Sequence, residues 1–88
     1  MRLALTTRRI LDPVHGEARD ALSEDWCMYL YANWPEIVIL PLLNAPGQVA
    51  QWATDLKIDA AILTNGNDWG ESNARDETER ALVKWCRA

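Results

Sequence analysis

The sequence predicts an α/β fold built on a parallel sheet, three layers deep. Three observations carry this. Three short runs of aliphatic and β-branched residues recur at 2–7, 37–41 and 59–64. Each is followed by a segment whose apolar residues are spaced three and four apart. Gly, Pro and Asn cluster between them. The resulting order, β-α-β-α-β-α, implies parallel strands joined by right-handed crossovers.

Residues 2–7 read as a buried first strand, an apolar run that closes on Thr6 and Thr7. The loop after it is marked by Pro13 and Gly16. Residues 17–33 read as the first helix, with Ala18, Ala21, Leu22, Trp26, Tyr29 and Leu30 on one stripe. Pro35 ends it, because the residue before a proline is pushed out of the α region. Ile37, Val38, Ile39 and Leu40 form the continuous run expected of a strand buried on both faces. A turn at 44–47 leads into a second helix over 48–57, with Val49, Trp52, Ala53 and Leu56 on one side. Residues 59–64 are the third strand. The Gly/Asn-rich stretch 65–70 suits backbone angles that most residues avoid. A third helix over 72–88 has Ser72 or Asn73 as cap and Asp76, Glu77 and Glu79 near its positive end. Thr78, Leu82 and Trp85 mark its inner face.

Composition narrows the function. The 88 residues are 49% hydrophobic and 25% charged, which fits a folded globular chain. The net charge is −4 and the basic residues are scattered, so no nucleic-acid footprint exists. The longest apolar run, 37–43, falls far short of a membrane span, and 3–5 is too short for a signal core. Two cysteines and one histidine, with no Cys-x-x-Cys pair, argue against a zinc site and for free thiols in a reduced, cytoplasmic setting. Neither a metal nor a cofactor is expected.

Ligands of doubly wound folds sit beyond the carboxyl ends of the strands. Three segments reach that rim: 6–9, 41–44 and 64–68. In the last, Asn65 and Gly66 can present backbone N–H groups outward, the arrangement that stabilises an oxyanion in acyl transfer. An ordinary strand-to-helix connection accounts for the same residue types. Arg8 and Arg75 are either contacts for a substrate carboxylate or phosphate, which arginine grips bidentately, or solvated rim charges. His15 lies in a loop with no nucleophile near it in sequence and reads as a surface histidine. Cys27 is mid-helix and reads as a packed thiol. Cys86 follows a charged helical stretch, not the buried strand that a nucleophile turn requires. Trp26, Trp52 and Trp85 fall on apolar helix faces, whereas Trp69 sits in the rim loop.

Asp59-Ala-Ala-Ile-Leu-Thr-Asn-Gly-Asn-Asp-Trp-Gly70, followed by Arg75-Asp-Glu-Thr-Glu79, resembles the class I glutamine amidotransferase-like family. Within it the pattern is most similar to the gamma-glutamyl-gamma-aminobutyrate hydrolase group, peptidase family C26. Ala4-Leu5-Thr6-Thr7-Arg8, Ala21-Leu22-Ser23-Glu24-Asp25-Trp26 and Val38-Ile39-Leu40-Pro41 are similar to the group's first strand, first helix and second strand. The likeness covers essentially the whole chain. It implies a flavodoxin-like sheet, of which residues 1–88 would be the N-terminal, incomplete portion.

The chemistry implied is cysteine-dependent hydrolysis of a gamma-glutamyl C–N bond. The family's nucleophile follows the next strand and its His–Glu pair comes later, so neither carries over. The chain alone is expected to be inactive. What carries over is the family's Gly-Gly turn: Gly66 would donate its N–H to the oxyanion, although Asn65 stands where the family has Gly. Asn67 and Asp68 would line the same pocket, with Arg8 and Arg75 as substrate contacts. The expected partners are a small gamma-glutamyl substrate and the missing C-terminal half. The alternative is a non-catalytic α/β module that uses its open sheet edge to pair with a second copy or another chain. A free-standing flavodoxin-like binder fits least, because Thr6-Thr7-Arg8-Arg9 contains no phosphate-binding glycine.

Overall fold

A computed structural model describes residues 1–64, 70 and 72–88. The chain is α/β, and among these residues it forms a three-stranded parallel sheet, a separate two-stranded hairpin and three helices. The central strand β1 (Arg2–Thr6) leads directly into the hairpin, β2 (Arg8–Asp12) and β3 (Glu17–Ala21). Next come α1 (Glu24–Asn33), β4 (Val38–Leu42), α2 (Val49–Asp55), β5 (Ala60–Ile62) and α3 (Asn73–Arg87).

The sheet order is β4-β1-β5. Leu3 pairs with Ile39 on one side and Ala60 on the other; Leu5 pairs with Pro41 and Ile62. Alternation along β1 feeds two cores. Leu3 and Leu5 pack with Leu30 of α1 and with Ile37. Ala4 packs on the other face with Val49 and Ala53 of α2 and Leu82 of α3. Helix α1 therefore covers one face, while α2 and α3 share the other. Trp85 Nε1 donates to Thr54 Oγ1 at 2.9 Å, linking α3 to α2. The amino ends are tied by Asp59, whose Oδ2 accepts from Arg2 N at 2.7 Å while its own N–H donates to Arg2 O at 2.8 Å.

The helix expected over 17–33 is a correction. Its first third is strand β3, and the element order is β-β-β-α-β-α-β-α. The turn explains this. Gly16 N donates to Asp12 O at 2.7 Å, and Asp12 Oδ1 accepts from Val14 N at 3.0 Å. Gly16 takes φ +65°, which an L side chain resists. Together they close the loop 13–16 and pair Asp12 with Glu17. Helix α1 starts only at its own cap, where Ser23 Oγ accepts from Asp25 N at 3.3 Å. Ala18 and Ala21 thus leave the helical stripe, and Tyr29, expected on it, is exposed. Leu30 carries the buried contact, with Trp26 half-buried beside it.

The other expected elements lie within a few residues of their predicted bounds. Val49, Ala53 and Leu82 face the core as anticipated, with Trp52 and Trp85 packed against it. Trp69 lies outside the described residues. No helix among the described residues is long and apolar enough to cross a membrane.

Candidate functional site

Segments 6–9 and 41–44 and residue Thr64 converge at the carboxyl ends of the parallel strands, and buried polar side chains join them. Thr6 ends β1 and Thr7 follows it, Thr64 follows β5, and Asn44 follows β4; all four are buried. Thr64 N donates to Thr6 Oγ1 at 2.9 Å, and Thr64 Oγ1 donates to Thr6 O at 2.8 Å. The Thr6 hydroxyl in turn donates to Glu79 Oε2 on α3 at 3.0 Å. Thr7 Oγ1 donates to Leu42 O at 2.8 Å, tying β1 to the end of β4. Side chains thus extend the sheet's ladder where its backbone strands diverge.

Arg75 organises this network from α3. It is only 2% exposed. One guanidinium nitrogen donates to Thr7 O at 2.6 Å; the other donates to Thr64 O and to Glu79 Oε2, the latter at 3.1 Å. Arg75 is therefore not a solvated rim charge. The guanidinium is spent on the fold, bridging the exits of β1 and β5. Its neighbour Asp76 accepts from Gly70 N at 2.9 Å, and Ser72 Oγ caps α3 by accepting from Arg75 N at 3.3 Å.

The hairpin is fastened to the same rim. Asn44 Nδ2 donates to Thr7 O at 3.1 Å and to Asp20 Oδ1 at 2.7 Å. These contacts fix the amide's orientation and leave Asn44 Oδ1 buried without a donor among the described residues.

Arg8 stands differently from Arg75. It is exposed at the start of β2 and lines a cleft of about 690 Å³ between the hairpin, the first turns of α1 and the end of β5. Ser23, Asp25, Trp26, Tyr29 and Thr64 share its walls. Sequence reasoning missed Asp25 and Tyr29 as lining residues, because both were assigned to a helix longer than the real one. It did not single out Glu79, nor Asn44 within the expected rim segment 41–44, as network members. The spacing of Glu79 four residues after Arg75 was the available signal for one of them. The candidates Asn65, Gly66, Asn67 and Asp68 lie outside the described residues.

Neither cysteine stands at a strand-to-helix turn. Cys27 is half-buried within α1, and Cys86 is exposed on the last turn of α3. His15 is on the hairpin turn, hydrogen-bonded to Asp12 in a surface cluster with Arg19 and Glu17. No group of three or more His, Cys, Asp or Glu residues suited to a metal ion occurs among the described residues. Searches against protein-family models, curated proteins and solved structures match nothing to this chain.

Proposed function

We propose that this chain forms the amino-terminal part of a cysteine-dependent hydrolase or amidotransferase acting on gamma-glutamyl amides, within a flavodoxin-like sheet. It would contribute the oxyanion side of the site, with Gly66 as donor, while nucleophile and His–Glu pair come from polypeptide outside these residues.

One observation carries the reading. β1 and β5 are neighbours whose following helices, α1 and α3, lie on opposite faces of the sheet. Such a reversal opens a crevice at the strands' carboxyl ends, the usual ligand position in open α/β sheets. The cleft lined by Arg8 and Thr64 lies there. Thr6 and Arg8 of one motif that resembles the family, and Thr64 of the other, meet at this same point.

The test uses gamma-glutamyl-p-nitroanilide and L-glutamine. Purified chain should bind L-glutamine without releasing nitroaniline from the anilide. Release that disappears in Cys27→Ala or Cys86→Ala would overturn the assignment of the nucleophile to other polypeptide. Absence of L-glutamine binding would count against the site itself.

A second reading, an α/β module that pairs through its sheet edge, is favoured by one contrast. Pro41 interrupts the donors of β4, the usual device that blunts an edge. β5, Ala60–Ile62, has neither proline nor charge, and among the described residues it pairs only with β1. A discrete dimer in light scattering, lost on Ala61→Pro, would support that reading.

A further inference from the structure

We infer that the cleft between the hairpin, α1 and the end of β5 is a subsite for the charged head of an α-amino acid, with Arg8 taking the carboxylate and Asp25 the ammonium. This deepens the gamma-glutamyl reading and rests on it for the rest of the substrate.

Two opposite charges line one cleft without neutralising each other. Arg8 and Asp25 both face it, and neither has an ion-pair partner among the described residues. This sets them apart from Arg19 and Arg75, each held by a carboxylate. A ligand bearing one charge would satisfy one residue and be repelled by the other; a zwitterion satisfies both. Arginine's planar fork matches a carboxylate bidentately. Trp26 and Tyr29 add aromatic wall beside Asp25, a surface that attracts an ammonium group. The cleft's volume, about 690 Å³, is within the range of small-molecule sites.

The placement suits a gamma-glutamyl compound. Thr64 lines the cleft and also begins the segment that carries Gly66. A ligand whose head is held by Arg8 and Asp25 therefore has its side chain in the cleft that Thr64 lines. The head would set specificity and position; the amide would be presented to the chemistry.

Calorimetric titration with four small ligands tests this. L-Glutamine has head and amide, L-norvaline the head alone, glutaramate the carboxylate and amide without the ammonium, and butyramide the amide alone. Removing the ammonium should weaken binding about tenfold, and removing both charges about a hundredfold. Arg8→Gln and Asp25→Asn should each weaken L-glutamine about tenfold while leaving butyramide unchanged. Both residues are exposed, so circular dichroism should show the fold intact. Butyramide binding as tightly as L-glutamine, with both variants silent, would overturn the head subsite and leave the amide site standing. L-Norvaline binding as tightly as L-glutamine, and still sensitive to both variants, would keep the subsite and overturn the gamma-glutamyl reading. Binding of none of the four would overturn the subsite, since its groups are all on this chain.

Discussion

Asp20 on the hairpin grips Asn44 at the exit of β4 with both carboxylate oxygens: Oδ2 accepts from Asn44 N at 3.0 Å and Oδ1 from Asn44 Nδ2 at 2.7 Å. The hairpin pairs with no strand of the main sheet. This contact therefore does much of the work of fixing one wall of the cleft. Asp20→Ala would leave two buried donors without their acceptor, at a cost of about 1–3 kcal/mol. Amides of β2 and β3 should exchange faster with solvent while those of β1 and β4 keep most of their protection. Uniform acceleration across the chain would mean the hairpin is not held locally.

Arg75 should be the least replaceable side chain of the rim. Its loss takes a donor from Thr64 O, leaves Thr7 O with Asn44 Nδ2 alone and removes the cation beside the partly buried Glu79 carboxylate, and breaking a buried ion pair costs about 3–5 kcal/mol. In a chain this small that is about half of the folding free energy, roughly 5–10 kcal/mol. Arg75→Leu should unfold at far lower urea. Arg75→Lys should recover little, because an ammonium cannot reach three acceptors in the plane of a guanidinium.

Thr6→Val keeps shape and removes the hydroxyl that accepts from Thr64 N and donates to Glu79. The Thr64 amide is buried with nothing to replace that acceptor. A loss of about 1–3 kcal/mol is expected in urea unfolding. The loss should shrink when combined with Glu79→Gln if the two residues act as one unit.

Lys57 predicts a gain. It follows α2 with φ 53°, the left-handed region, and its N–H donates to Thr54 O at 3.1 Å. A left-handed conformation costs a non-glycine residue about 1–2 kcal/mol, and the extra chain entropy of glycine takes back part of that. Lys57→Gly should raise stability by about 0.5–1 kcal/mol, read as a higher urea midpoint.

Much of the fold was legible. The runs at 37–41 and 59–64 announced parallel strands by their aliphatic content, but burial on both faces did not follow: both are edge strands beside β1, with Val38 and Leu63 exposed. Val49, Ala53 and Leu82 announced their helix faces by spacing. The hairpin was hidden because Glu17, Ala18, Arg19 and Ala21 are good helix formers whose spacing mimics a stripe. The side chain of Asp12 and the positive φ of Gly16 override that propensity. Arg75 was hidden for a different reason. A lone arginine on a charged helix looks solvated, and its burial depends on Thr7, Thr64 and Glu79, which meet it only in the folded chain. The Asp25 side of the cleft depended on α1 starting at residue 24 rather than 17.

The most direct test of the central claim is a map of backbone amide shifts in labelled protein as L-glutamine is added. The account predicts changes at the carboxyl ends of the sheet, at Thr7, Arg8, Asp25, Thr64 and Gly70, with Arg2, Val38 and Asp59 at the opposite end unmoved. Changes confined to that opposite end, or no change at saturating ligand, would contradict it.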